Sequence, residues 1–402
     1  MEIPFSRPDI SEDEIQRVAN VLRSGWITTG PVVGQLERKI ISMTGCDGCA
    51  AFSSATAALE AILRYLGIGE GDEVIVPAYT FTATASAVVH TGARPVFMDC
   101  APDSYEMDYA GISGIISEKT KAVIAVDLGG VIADYDRLYQ AAAEKKDRFV
   151  PANPVQERMG RIAVIADAAH SFGSVRQGVP AGRWADFSAF SFHAVKNVTC
   201  AEGGAAVWKR TAGLDSGEVY RFFRTYALHG QNRDAFDREG NRSWLYDVEY
   251  PAYKCNLTDI NAAIALAQME RYSEMEKKRR ARIAQYDTAF SGTKLIRLRH
   301  DGEGGGSNGH LYLIRIPGAT EKIRDEVIAA MKERGIACNV HYRPLPMLKA
   351  YRNMGCDIAD FPNAFRQYQN TISLPLFSTL SEAQCQYVAD SLLDILREKA
   401  LL

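Results

Sequence analysis

The sequence predicts an α/β protein built on a mainly parallel sheet with helices on both faces. Three observations lead there. Between about residues 50 and 210, short β-rich runs recur at GDEVIVP, ARPVFMD, KAVIAVDLGG, RIAVIAD, FSAFSFH and GGAAVWK. Helical apolar periods such as TAALEAILRYLG and TATASAVVHTG fall between several of them. At 402 residues the chain exceeds one core of ordinary size, so two domains are expected.

In chain order, residues 11–36 open with Ser11 and Glu14 at capping-box spacing, ahead of a helical period in EIQRVANVLRSG. The strand–helix alternation follows. Within it, EKKDRFVPANPVQERMG (144–160) is polar and rich in breakers, and reads as an exposed inserted loop. From about 256 one long helical pattern runs through DINAAIALAQMERYSEMEKKRRARIAQY. A second α/β set comes last: HLYLIRI, a helix at EKIRDEVIAAMKERG, IACNVHY, and a helix from about Ser381. DGEGGGSNG (301–309) reads as flexible, because glycine bends freely and is costly to order. The expected division is a large domain, 1–255, and a small C-terminal domain, 256–402.

Composition narrows the classes of function. Hydrophobic residues make up 47% and charged residues 24%, an ordinary globular balance, and the net charge of −3 argues against a broad nucleic-acid footprint. MEIPFSRPDISEDE lacks a basic-then-apolar export pattern, and no apolar run approaches the ~20 residues of a membrane span. A soluble, cytoplasmic protein is expected. The eight cysteines are scattered. Only Cys46 and Cys49 lie close, and one CxxC without a second pair reads as reduced thiols rather than a metal site.

In such sheets, ligands bind at the carboxyl ends of the strands. Asp167 closes RIAVIAD, with His170 just beyond it in DAAH; either alone would serve as a cap or a satisfied polar residue. Lys196 follows FSAFSFH, where a lone ammonium is either a surface charge or a nucleophile. AFSSATAALEAIL carries Ser53, Ser54, Ala55 and Thr56 into a helix start, which is an N-cap or an anion seat. Phe81, after VIVPAYT, is a core aromatic or a ring that stacks on a planar ligand. Together these point to pyridoxal 5'-phosphate. That cofactor needs a lysine for its Schiff base, an acid for its ring nitrogen and a cradle for its phosphate.

The motifs resemble the pyridoxal-phosphate-dependent sugar aminotransferases of the DegT/DnrJ/EryC1/StrS family nearly end to end. The likeness is carried by SGWITTGP (24–31), SSATAAL (53–59), VIVPAYTF (74–81), DAAHSFG (167–173), SFHAVKNVTCAEGG (191–204), YKCNLTDINAA (253–263) and NVHYRPL (339–345). The resemblance implies the type I aminotransferase fold: a mostly parallel seven-stranded sheet in the large domain and a smaller C-terminal α/β domain. It also implies a homodimer with active sites shared between subunits.

By resemblance, Lys196 forms the Schiff base, Asp167 pairs with the pyridine nitrogen, and His170 sits by the ring. Phe81 stacks on its face. Ser54, Ala55, Thr56 and Ser191 hold the phosphate, with Asn256 arriving from the other subunit. Trp26, Thr28, Thr29, His229, His310, His341 and Tyr342 are implied near the substrate. Sugar 3-dehydratases of this fold carry histidine at the lysine position, so Lys196 implies an aminotransferase. The wording of 191–204 is most similar to the branch that aminates UDP-linked 4-keto sugars, with L-glutamate as donor. A dTDP-3-keto-sugar, cyclitol or aminobenzoate-type aminotransferase, or a non-catalytic pyridoxal-phosphate-binding regulator, is the alternative. Asp127 in AVDLGG stands where relatives often have histidine.

Overall fold

The computed structural model describes residues 2–211, 213–232, 246–302 and 304–402. Its strands are β1 (Gly48–Phe52), β2 (Glu73–Pro77), β3 (Arg94–Met98), β4 (Thr120–Val126), β5 (Ala163–Asp167), β6 (Val175–Arg176), β7 (Val179–Pro180), β8 (Phe187–Ser191), β9 (Gly204–Trp208), β10 (Ile296–Arg297), β11 (Asp301–Gly302), β12 (Gly305–Gly306), β13 (Tyr312–Arg315) and β14 (Thr371–Leu374). A seven-stranded sheet runs in the order β1-β9-β8-β5-β4-β2-β3. Every pairing in it is parallel except those of β9, which runs against β1 and β8. β1, β2, β5 and β9 are buried along their whole length, as strands covered on both faces must be.

Two apolar cores flank this sheet. One gathers Leu36, Ile40, Val123, Val164, Phe190 and Val207, with helical residues from 262–272; the other gathers Leu59, Ile62, Val76, Ile124, Phe187 and Phe223. A third core holds the C-terminal sheet β10-β13-β14 and the helix Glu382–Glu398. Ile3 joins that third core, and its N–H donates to the Gly335 carbonyl at 2.8 Å, so the chain's first residues return to its last third. The helix Glu12–Ser24 starts with Glu14 accepting from the Ser11 N–H at 2.8 Å. No described helix is long and apolar enough to cross a membrane.

Four expectations are corrected. The segment 144–160 is ordered: a 3₁₀ turn at Lys146–Arg148 leads to an α-helix at Pro154–Met159. Asn153 Oδ1 accepts from the Val155 and Gln156 amides, both at 3.0 Å, while Asn153 Nδ2 and buried Gln156 Nε2 donate to the Leu66 carbonyl at 3.0 and 2.9 Å. Asparagine and proline, read as breakers, are here an N-cap and a first helical residue. The long helix after 256 is two, Asp259–Glu270 and Tyr272–Ala289, broken at Arg271 with φ −102° and ψ 11°. Leu257 and Ala262–Tyr272 pack in the first core, whereas Ile283, Tyr286 and Phe290 pack in the third.

The glycine-rich stretch 301–309 is pinned. β11 and β12 form a ribbon that pairs with β6, and Ser307 and Asn308 are buried. IACNVHY makes only isolated bridges, Ile336 to Ile3 and Asn339 to Ser373; the partners of β13 are β10 and β14.

Asn153→Ala removes both the cap and the tie to Leu66, so it should cost about 1–2 kcal/mol in chemical denaturation. An unchanged midpoint would place 144–160 outside the folded core.

Candidate active site

The candidate residues hang from one edge of the sheet. β1, β2, β4, β5 and β8 are mutually parallel, so Ser54, Phe81, Asp127, Asp167 and Lys196 all follow carboxyl ends at that edge. β9 begins there, with Gly204 paired to both Phe52 and Ser191.

Asp167 is buried, and its two oxygens have separate donors. Thr84 Oγ1 donates to Oδ2 at 2.7 Å and the Ala169 N–H donates to Oδ1 at 3.2 Å. Thr84 spends its one proton on Asp167, so Thr80, 2.9 Å away, donates to Thr84. Withdrawal from water raises the Asp167 carboxyl above the usual range, against the pull of these donors and of Lys196. Lys196 lies in the turn after β8, where its N–H donates to the His193 carbonyl at 2.9 Å, and its side chain is partly exposed. Desolvation lowers its ammonium to about 8, opposed by the negative charge of Asp167.

His170 is buried beside this pair. The Gly129 N–H donates to Nδ1 at 3.2 Å, so the neutral ring carries its proton on Nε2, which faces Tyr342 Oη at 3.0 Å. Burial, with Lys196 and His341 nearby, holds His170 well below the usual histidine range, so it stays neutral. The Phe81 ring is 55% exposed and 5.8 Å from that of Tyr342, giving an aromatic wall open on one side. Asp127 braces the DAAHS turn from below: it accepts from Ser171 Oγ at 2.5 Å, Tyr135 Oη at 2.8 Å and the Ala133 N–H at 3.0 Å.

The expected anion seat is the start of the helix Ala55–Tyr65. Ser54 caps it by accepting from the Ala57 N–H at 3.1 Å. A side chain at Gly204 would stand 2.3 Å from the Ala55 nitrogen, so only glycine lets β9 pass beneath this turn. Ser191 Oγ accepts from the His193 N–H at 3.4 Å. Asn256 bridges to Phe52, and its Nδ2 donates to Thr29 Oγ1 at 2.6 Å.

Thr29 donates to the Leu257 carbonyl at 2.5 Å, and the Asp259 N–H donates to the Thr28 carbonyl at 3.0 Å. The Asp259 carboxylate accepts from the amides of Gly30 and Val33 at 2.9 Å and of Val32 at 3.2 Å. The 24–31 loop, with Trp26 Nε1 donating to the Thr29 carbonyl at 3.0 Å, is thereby sewn to 253–263.

Among the remaining expected residues, His310, His341 and Tyr342 come to the edge. The His310 ring centroid lies 4.3 Å from that of His170, and His341 faces Ser373 Oγ at 2.8 Å and stacks on Phe5. His229 makes no described contact with this group; its N–H donates to the Tyr253 carbonyl at 2.8 Å.

The sequence model of the DegT/DnrJ/EryC1/StrS aminotransferase family matches residues 8–393. The chain belongs to this family. It is 35% identical over 399 residues to the spore coat polysaccharide biosynthesis protein SpsC of Bacillus subtilis (strain 168), covering 98% of this chain and 97% of that one. It is 45% identical to Spr1654 of Streptococcus pneumoniae, assigned as a sugar aminotransferase and solved in forms with pyridoxal phosphate and with pyridoxamine phosphate. Their TM-scores are 0.95 and 0.96, and all of both chains is covered in each. Helicobacter pylori PseC, an aminotransferase of pseudoaminic acid biosynthesis, is 25% identical with a TM-score of 0.86 over 99% of this chain and 100% of that one.

This member of the DegT/DnrJ/EryC1/StrS family is thus a pyridoxal-phosphate-dependent aminotransferase with the type I fold. Its residues fit that cofactor. An amine, a buried carboxylate and a glycine-cleared helix start stand at one edge, and each matches a group that the cofactor presents. Sequence reasoning misses Thr84, Asn197, Asn308 and Asp259. Thr84 had a signal, a hydroxyl three residues past Phe81 on the first helical turn; the others act on main chain far away in sequence.

In the role expected of it, the Lys196 amine would attack only when neutral. Reconstitution of the apoprotein with pyridoxal phosphate should therefore speed up as pH rises through about 8 and level off above it. A midpoint near the ordinary lysine value would contradict the desolvation described here.

Proposed function

We propose that the enzyme moves the amino group of L-glutamate to a nucleotide-linked keto sugar, a UDP-4-keto sugar, for surface polysaccharide, lipid A or amino-sugar biosynthesis. The observation that carries the reading is the buried Asp167 at the sheet edge with the depressed Lys196 amine. The sugar acceptor is supported by the relatives, which include a polysaccharide biosynthesis protein and proteins assigned as sugar aminotransferases. The working unit is read as a homodimer. Tyr253 and Lys254, beside Asn256 and the anion seat, lie open to solvent, where a second copy has access.

When bound, pyridoxal phosphate supplies an electron sink that lets the donor's α-carbon release its proton. Lys196 Nζ is partly neutral near neutrality, so it would take that proton from the donor's α-carbon and return it to the carbon on the other side of the transferred nitrogen. Asp167 would hold a proton on the ring nitrogen, and Thr84 with the Ala169 N–H keeps the carboxylate from turning aside. Neutral His170 adds no positive charge beside Lys196. Phe81 and Tyr342, their rings 5.8 Å apart, would shield one face of the cofactor from water.

Incubating the holoenzyme with glutamate and a panel of UDP- and dTDP-keto sugars, read by mass spectrometry, should give a one-amine product from a UDP-4-keto sugar. Lys196→Ala should give none. Saturable UDP binding should accompany turnover; amination of only dTDP-3-keto sugars, cyclitols or aminobenzoate precursors would refute the substrate assignment.

A further inference from the structure

The stretch 307–310 reaches the site edge through one amide. Asn308 is 1% exposed, and its Nδ2 donates to the carbonyls of His170 at 2.8 Å and Phe172 at 2.9 Å. Its N–H donates to Ser174 Oγ at 2.9 Å, and Ser174 donates to the Gly130 carbonyl at 2.6 Å. Its carbonyl accepts from Asn197 Nδ2 at 2.7 Å, on the residue after Lys196. Asn197 Oδ1 in turn accepts from His310 Nδ1 at 3.1 Å. Asn308 Oδ1 has no hydrogen-bond partner among the described residues. It fills the space a side chain on Gly130 would take, 2.1 Å from that Cβ position.

These bonds converge on three supports of the chemistry. One is the main chain around His170. The second is the Gly129–Gly130 turn, whose Gly129 N–H fixes the tautomer of His170. The third is the turn that bears Lys196. Asparagine suits the place because its two N–H groups meet two carbonyls in a site that would penalise charge. Aspartate would set a carboxylate against both oxygens, and leucine would leave both unpaired.

We infer that Asn308 is a positioning residue for transamination: it holds the His170 ring and the Lys196 turn in register while acting only through them. The inference rests on the placing of Lys196 and His170 against the cofactor. A merely structural asparagine would alter stability and leave the spectrum of the bound cofactor alone.

The test titrates the visible band of Lys196-bound pyridoxal phosphate in Asn308→Ala holoenzyme against pH, alongside steady-state kinetics. The band's midpoint should move by about half a unit or more. The kcat should fall roughly ten-fold, with KM for the amino donor within about two-fold of wild type. A variant that keeps the band with wild-type midpoint and kcat overturns the inference and leaves the Lys196 assignment standing. Absence of the band in wild type overturns both. If Asn308→Ala does not fold, Ser174→Ala, which frees the Asn308 N–H and the Gly130 carbonyl and leaves the Asn308 side chain in place, decides. A shifted midpoint supports the inference, and an unmoved one overturns it.

Discussion

The structure depends on one constraint: a buried carboxylate and a largely desolvated amine must stand at the same edge of a sheet. Desolvation disfavours the charged form of each, so it raises Asp167 and lowers Lys196, while their mutual attraction resists both shifts. The arrangement holds only if the carboxylate has fixed donors. Thr84, backed by Thr80, and the Ala169 amide supply them. The parallel sheet makes this affordable, because it delivers strand ends to one line with no rearrangement of the chain between them.

Around that pair, the site is assembled from segments far apart in sequence. Asp259 caps the helix Pro31–Thr44 and so fixes the loop of Trp26, Thr28 and Thr29 against 253–263. Asp127 braces Ser171 from one side and Asn308 holds the carbonyls of His170 and Phe172 from the other. The DAAHSF turn is thus gripped twice. That grip seats His170, kept neutral by burial beside a lysine amine, against the Gly129 N–H that sets its tautomer. With Asp127 bonded to three donors, this chain braces the turn with a carboxylate.

The strands of the large sheet are legible in the sequence because each is a short β-rich run, separated from the next by helical periods. Lys196 and Asp167 are legible because Asp167 closes such a run and Lys196 follows another, and the order of strands then brings them together. The segment 144–160 misleads because Asn153 and Pro154 start a helix as readily as they end one. The glycines of 301–309 mislead because their freedom is spent on a ribbon against β6, and burial of Ser307 and Asn308 comes from the tertiary fold. Asn308 itself leaves no local trace: its partners are carbonyl oxygens of residues more than 130 positions earlier, and no periodicity encodes them. Arg271 breaks the long helix where the apolar pattern continues, its guanidinium drawn to Glu14 and Asp9.

The most direct measurement is reduction of the reconstituted holoenzyme with borohydride, followed by proteolysis and mass mapping. The account predicts one pyridoxyl group, on Lys196, in the peptide containing SFHAVKNV. Label on another lysine, or none in a protein that has taken up the cofactor, would contradict it.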